Sequence, residues 1–145
     1  MADSKHYDLI VIGSGPGGYV AAIRAAQLGM QVAVVEKDPK FGGTCLHRGC
    51  IPTKALLHTA GLLEEVRRAG EFGVAVEDPR LDLDGAHAYK DKVVDKNAKG
   101  IEYLFRKNRI ETIHGRGRLA GRFTFLGCLP LASVALHKKL ADVDS

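Results

Sequence analysis

Cys45 and Cys50 stand five positions apart in the run Gly42-Gly-Thr-Cys45-Leu-His-Arg-Gly-Cys50-Ile-Pro-Thr-Lys54. At that spacing two thiols approach each other only where the first turns depart from a regular helix, and Gly49 and Pro52 supply the irregularity. A thiol at a helix N-terminus has its thiolate stabilised by the helix dipole, which lowers its pKa toward the working range. Such a pair suits reversible disulfide chemistry. A zinc site is the rival reading, and it needs two further ligands. His47 lies between the cysteines, and only scattered His58, His87 and Cys128 remain. Inert buried thiols are the third reading.

A second constellation lies upstream. Gly13, Gly15 and Gly18 form G-x-G-x-x-G directly after an apolar run and at the start of an alanine-rich stretch. In that context Gly13 permits a tight turn, Gly15 lets the backbone approach a pyrophosphate, and Gly18 allows close contact between helix and strand. The helix N-terminus then faces the anion with free N–H groups and a partial positive charge. Glu36 follows at the end of the next apolar run, where its carboxylate can accept hydrogen bonds from both hydroxyls of an adenosine ribose and would repel a 2′-phosphate. The motif predicts a dinucleotide site and does not choose between FAD and NAD.

The elements that must hold these residues follow from periodicity. Tyr7–Ile12 and Gln31–Glu36 read as strands buried on both faces of a parallel sheet, joined by a helix from Tyr19 to Leu28 that stops at Gly29. A mostly helical pattern runs from about Thr44 to Ala69, and Pro52 should bend or break it. Asp84 is placed to cap a further helix reaching about Lys107, and Ile110–His114 looks like a third parallel strand. The fold class is α/β: a Rossmann-like domain on a parallel sheet, incomplete at its C-terminal end.

The cysteine segment closely resembles the redox-active disulfide signature of the FAD-dependent pyridine nucleotide-disulfide oxidoreductases. Leu46 and the run Ile51-Pro-Thr-Lys-Ala-Leu-Leu57 make it similar to the branch that oxidises dihydrolipoamide, more than to the glutathione or mercuric reductases. The resemblance implies a flavoprotein in which Cys45 is the interchange thiol that meets the dithiol substrate and Cys50 the thiol lying against the flavin. It implies that Lys54 neighbours the flavin ring, that Gly13, Gly15 and Gly18 hold the FAD pyrophosphate, and that Glu36 holds its ribose. Lys37, Gly43, Thr44 and Cys45 fall in the stretch that lines the cofactor, and Gly117 matches a backbone contact to the adenine end. The implied substrate is dihydrolipoamide on a lipoyl domain of a 2-oxo acid dehydrogenase complex, and the family is homodimeric.

The likeness runs from about His6 to Leu119, so residues 1–119 are read as an FAD-binding domain with a redox-active disulfide and residues 120–145 as an atypical tail. Neither the family's small antiparallel insertion nor its returning strand is expected in that tail. Its apolar residues are expected to form a short helix, and Cys128 to be incidental. The second glycine motif for NAD and the dimerisation domain are missing from the sequence. A truncated or frame-shifted enzyme, inactive or partial, is the corresponding expectation, with a nucleotide-binding or redox-sensing remnant as the alternative.

Size and composition agree with one domain: 145 residues, 46% hydrophobic and 26% charged. The net charge of +4 is concentrated in residues 90–122, which hold 10 basic and 4 acidic residues. Signs alternate through Lys90, Asp91, Lys92, Asp95 and Lys96, as on a solvated helix face, so no nucleic-acid partner is expected. Phe123–Leu136 is too short and too broken by Gly127 and Pro130 to span a bilayer. No signal-peptide pattern opens the chain, and a cytoplasmic protein without a metal is the expectation.

Overall fold

The computed structural model describes residues 5–121, 124–128 and 133–137. Its elements run β1 (Leu9–Ile12), α1 (Pro16–Gln27), β2 (Val32–Glu36), α2 (Gly43–Arg48), α3 (Cys50–Arg67), α4 (Leu83–Lys107), β3 (Glu111–His114), β4 (Arg116–Gly121), β5 (Thr124–Cys128) and β6 (Ser133–His137). They form two compact units, one of Met1–Gly43 with Gly100–Ser145, the other of Thr44–Lys99.

In the first unit a parallel sheet has the order β1-β2-β3, with Val11 opposite Val34 and Val35 opposite Ile113. The central strand β2 is buried along its whole length, whereas β1 is half-buried and Ile12 is 52% exposed. The two runs look alike in sequence, but β1 is an edge strand of this sheet and only β2 has a neighbour on each side. Ala33, Val35 and Ile113 pack together with Tyr7 and Ile10 beside them. Phe105, near the end of α4, meets the ring of Phe41 edge to face at 5.2 Å between centroids.

The stop after α1 is where the sequence puts it. The N–H of Gly29, at φ +90°, donates to Ala26 O at 3.0 Å and that of Met30 to Ala25 O at 3.2 Å, the paired bonds of a Schellman ending. The chain can then turn directly into β2.

In the second unit the helical pattern breaks at Gly49, not at Pro52. Gly49 has φ −131° and ψ −111°, and α3 starts at Cys50. Pro52 therefore falls in the first turn of α3, where a helix needs no N–H from it. The cap of α4 also falls two residues earlier than the sequence suggests. Asp82 accepts the Gly85 N–H at 3.0 Å through its side chain, and Asp84 lies inside the first turn.

Beyond β3 the expectation of a helix and of no antiparallel insertion is overturned. β4 pairs antiparallel with β5, and β5 with β6, in a three-stranded sheet with an irregularity between Leu119 and Gly121. Phe125 and Val134 favour strand, and Gly127 weakens any helix through the segment. Among the described residues, no helix is long and apolar enough to cross a membrane.

Candidate functional site

The glycine turn is built as its residue types require. Gly13 has φ +90°, and its N–H donates to Val35 O at 2.7 Å, which holds the end of β1 against β2. A Cβ on Gly18 would collide with the carbonyl oxygen of Gly13, so α1 lies too close to the turn for any other residue there. Gly15 is the N-cap residue of α1 with Pro16 following, no side chain caps the helix, and its first turn carries no acidic residue. A Cβ on Gly15 would meet nothing within 4 Å. The space beside Gly15 is therefore open at the N-terminus of α1, the end of a helix that favours an anion.

Glu36 ends β2 with 4% of its surface exposed. Its Oε2 accepts the Ser14 N–H at 2.8 Å and the Ser14 hydroxyl at 2.6 Å, and its Oε1 accepts the Asp38 N–H at 3.0 Å. Burial works against the charge, but hydrogen bonds from Ser14, Asp38 and Lys37 outweigh it and hold the carboxyl below its usual range. Glu36 lines a cleft of about 370 Å³ together with Gly13, Lys37, Arg116 and Gly117. Gly117 is thus brought beside Glu36 from more than 80 positions away by the parallel pairing of β2 with β3, which sets Glu36 opposite His114. Gly43 belongs to the same unit and approaches Gly15 closely.

In the second unit Cys45 lies in α2 and Cys50 opens α3, and the two are joined in a disulfide with 4.8 Å between Cα atoms. The backbone break at Gly49 makes that approach possible. Cys50 is exposed and Cys45 half-buried. Lys54 is exposed on α3 one turn after Cys50, and Thr44 is exposed at the start of α2.

Two residues of the first unit escape a reading by motif. Ser14 stands at a position the glycine pattern leaves unspecified, and nothing but its complete burial distinguishes it. Arg116 reaches the cleft because β4 starts directly after β3. No periodicity in the sequence marks either.

A βαβ unit with an open glycine turn and a buried acidic residue at the end of its second strand is the pattern of a dinucleotide-binding domain, and the second unit adds a disulfide that straddles a helix break. The chain belongs to the pyridine nucleotide-disulphide oxidoreductase family, whose model matches residues 7–124. Among curated proteins it is similar to dihydrolipoyl dehydrogenase of Bacillus subtilis, 50% identical over 122 residues that make up 84% of this chain and 26% of the relative. Dihydrolipoyl dehydrogenase 3 of Pseudomonas putida is 53% identical over 81% of this chain and 25% of its own length. The mitochondrial dihydrolipoyl dehydrogenase of Dictyostelium discoideum is 50% identical over 81% and 24% respectively. The chain spans about a quarter of the length of these relatives.

The cofactor that membership implies is FAD. The residues of the first unit fit its adenosine diphosphate portion: the space beside Gly15 is open, the N-terminal end of α1 has no side-chain cap, and an ionised carboxylate lines the cleft at Gly13 and Gly117.

Proposed function

We propose that this chain carries the flavin-binding and dithiol-accepting part of a dihydrolipoyl dehydrogenase. The observation that carries the proposal is the Cys45–Cys50 disulfide, accessible at the junction of two helices in a chain of this family. In the proposed reaction one thiolate of dihydrolipoamide attacks Cys45 and the S–S bond breaks, leaving Cys50 as thiolate. The second thiol of the substrate then displaces Cys45. Lipoamide leaves as a disulfide, oxidised by two electrons, and both cysteines are left reduced with the substrate's two protons shared between thiols and solvent. FAD, when bound, supplies the acceptor for those two electrons.

Residues of the chain divide the remaining work. Gly13 shapes the turn, Gly15 and Gly18 keep side chains away from the first turn of α1, which receives the pyrophosphate, and Glu36 receives the ribose hydroxyls. Lys37, Gly43, Thr44 and Gly117 belong to the binding surface, and the cation of Lys54 compensates negative charge on the reduced cofactor. Residues 1–119 carry these roles. Supporting the assignment are the cleft beside Glu36, the open turn before α1 and the family match over residues 7–124. A lipoyl-bearing 2-oxo acid dehydrogenase complex is the corresponding partner, supported by the printed names of the relatives.

The test is to load the protein with FAD, add dihydrolipoamide under anaerobic conditions and record the visible spectrum together with the titratable thiols. With one equivalent of dihydrolipoamide the proposal expects the two electrons to appear either as two additional protein thiols or as bleached flavin with the disulfide re-formed; with excess dithiol, removed before the thiols are titrated, it expects both. A protein that takes up no flavin, or whose disulfide resists dihydrolipoamide, refutes it.

A further inference from the structure

Ser14 sits between the first two glycines of the turn with none of its surface exposed. The motif asks nothing of that position, yet every polar group of Ser14 is engaged. Its N–H and its hydroxyl both donate to Glu36 Oε2, at 2.8 and 2.6 Å. The hydroxyl oxygen accepts the Gly42 N–H at 3.0 Å, and the carbonyl oxygen accepts the same N–H at 3.1 Å. A chain of bonds therefore runs from Gly42 through the Ser14 hydroxyl to the carboxylate, each bond polarising the next. With Glu36 only 4% exposed, little solvent can replace a lost donor on Oε2.

The geometry points to Ser14 as a positioning residue that fixes the Glu36 carboxylate for an adenosine ribose and ties it to the Gly42–Gly43 turn. The assignment rests on the reading that the cleft beside Glu36 takes the ribose of FAD. Without the hydroxyl, Glu36 keeps one backbone donor on Oε2 and gains freedom to turn away from the cleft, so the ribose meets a carboxylate that is less often charged and less often aligned. The ionisable groups around it are Lys37 and Asp38 on its own segment, with His114 and Arg116 from β3 and β4. All four are shared by parent and variant.

The experiment is a titration of the full chain with FAD, followed by quenching of flavin fluorescence, over a series of acid pH values. Ser14→Ala should weaken binding about tenfold or more, the scale of a hydrogen bond to a charged group. It should also move the acid midpoint of binding to higher pH, and Glu36→Gln should remove that midpoint. Ser14→Cys keeps a donor, weaker and on a slightly larger side chain, and should fall between; it decides the matter should Ser14→Ala not fold. Parent protein that fails to bind FAD defeats the reading of the cleft itself. A parent midpoint that survives in Glu36→Gln defeats the assignment of the ribose to Glu36, and parent that binds, with a serine variant of equal affinity or an unmoved midpoint, overturns the role of Ser14 alone.

Discussion

Gly43 lies against Gly15: a Cβ built on Gly43 would stand 2.7 Å from the Gly15 Cα. Gly43 also has φ +63°, in the left-handed region. Gly43 is thus held against the turn that opens α1, by a contact that only a missing side chain allows. Gly43→Ala adds a strained backbone to an overlap with main chain, and the two together should destabilise the protein by about 2–4 kcal/mol. Urea unfolding of the two proteins measures it. Gly17→Ala is the comparison, because a Cβ there meets nothing within 4 Å and the backbone is helical. That variant should be as stable as the parent or up to about 1 kcal/mol more stable.

Glu36 makes folding depend on pH in a determinable direction. Its carboxyl is held below the ordinary 4.5 in the folded chain, since the hydrogen bonds from Ser14 and from Asp38 and Lys37 outweigh the effect of burial. The folded state therefore favours the ionised form. The resulting stabilisation is complete above pH 4.5 and is lost as the pH falls through the folded value. Glu36→Gln should cost about 1–3 kcal/mol at neutral pH, as expected for charge-assisted bonds to a buried group. The gap between parent and variant should close in acid, and a gap independent of pH would count against the ionised carboxylate.

The start of α4 discriminates two aspartates. Asp82 carries the capping bond to the Gly85 N–H, and Asp84 contributes only its charge to the first turn. Asp82→Ala should cost about 1 kcal/mol, the usual value of an N-cap. Asp84→Ala should cost a few tenths, the weaker effect of a charge near a helix dipole at an exposed site. Thermal unfolding of both variants, side by side, measures the difference.

These contrasts indicate how much could be read from the residues alone. β1, α1, β2 and β3 were legible because buried parallel strands are runs of apolar residues and the glycines between them require particular backbone angles. The helix break was legible as a region but not as a residue: Pro52 is the stronger breaker by type, yet the first turn of a helix tolerates it, and Gly49 takes the distortion. Asp82 and Asp84 carry the same side chain two positions apart, and only the bond to Gly85 separates them. β4 through β6 gave no clear signal, since their strands are short and interrupted by glycines at Gly117 and Gly127, so that pairing rather than propensity makes them strands. Within the site, the glycines, Glu36 and both cysteines follow from residue type and spacing. Ser14 and Arg116 depend on which atoms the fold brings within reach.

The cysteine pair carries the last prediction. A disulfide that closes a loop between residues five apart removes little entropy from the unfolded chain, about 2 kcal/mol, far less than a bond across a long loop. Reducing it should therefore lower stability by no more than that amount and leave the protein folded. Cys45→Ser and Cys50→Ser should each match the reduced parent in urea unfolding, and dithiothreitol should leave both variants unchanged. A shuttling disulfide has to open and close in every cycle without unfolding its surroundings, and a short loop meets that requirement. Collapse of the parent on reduction would mark the bond as a structural staple and exclude a role in turnover.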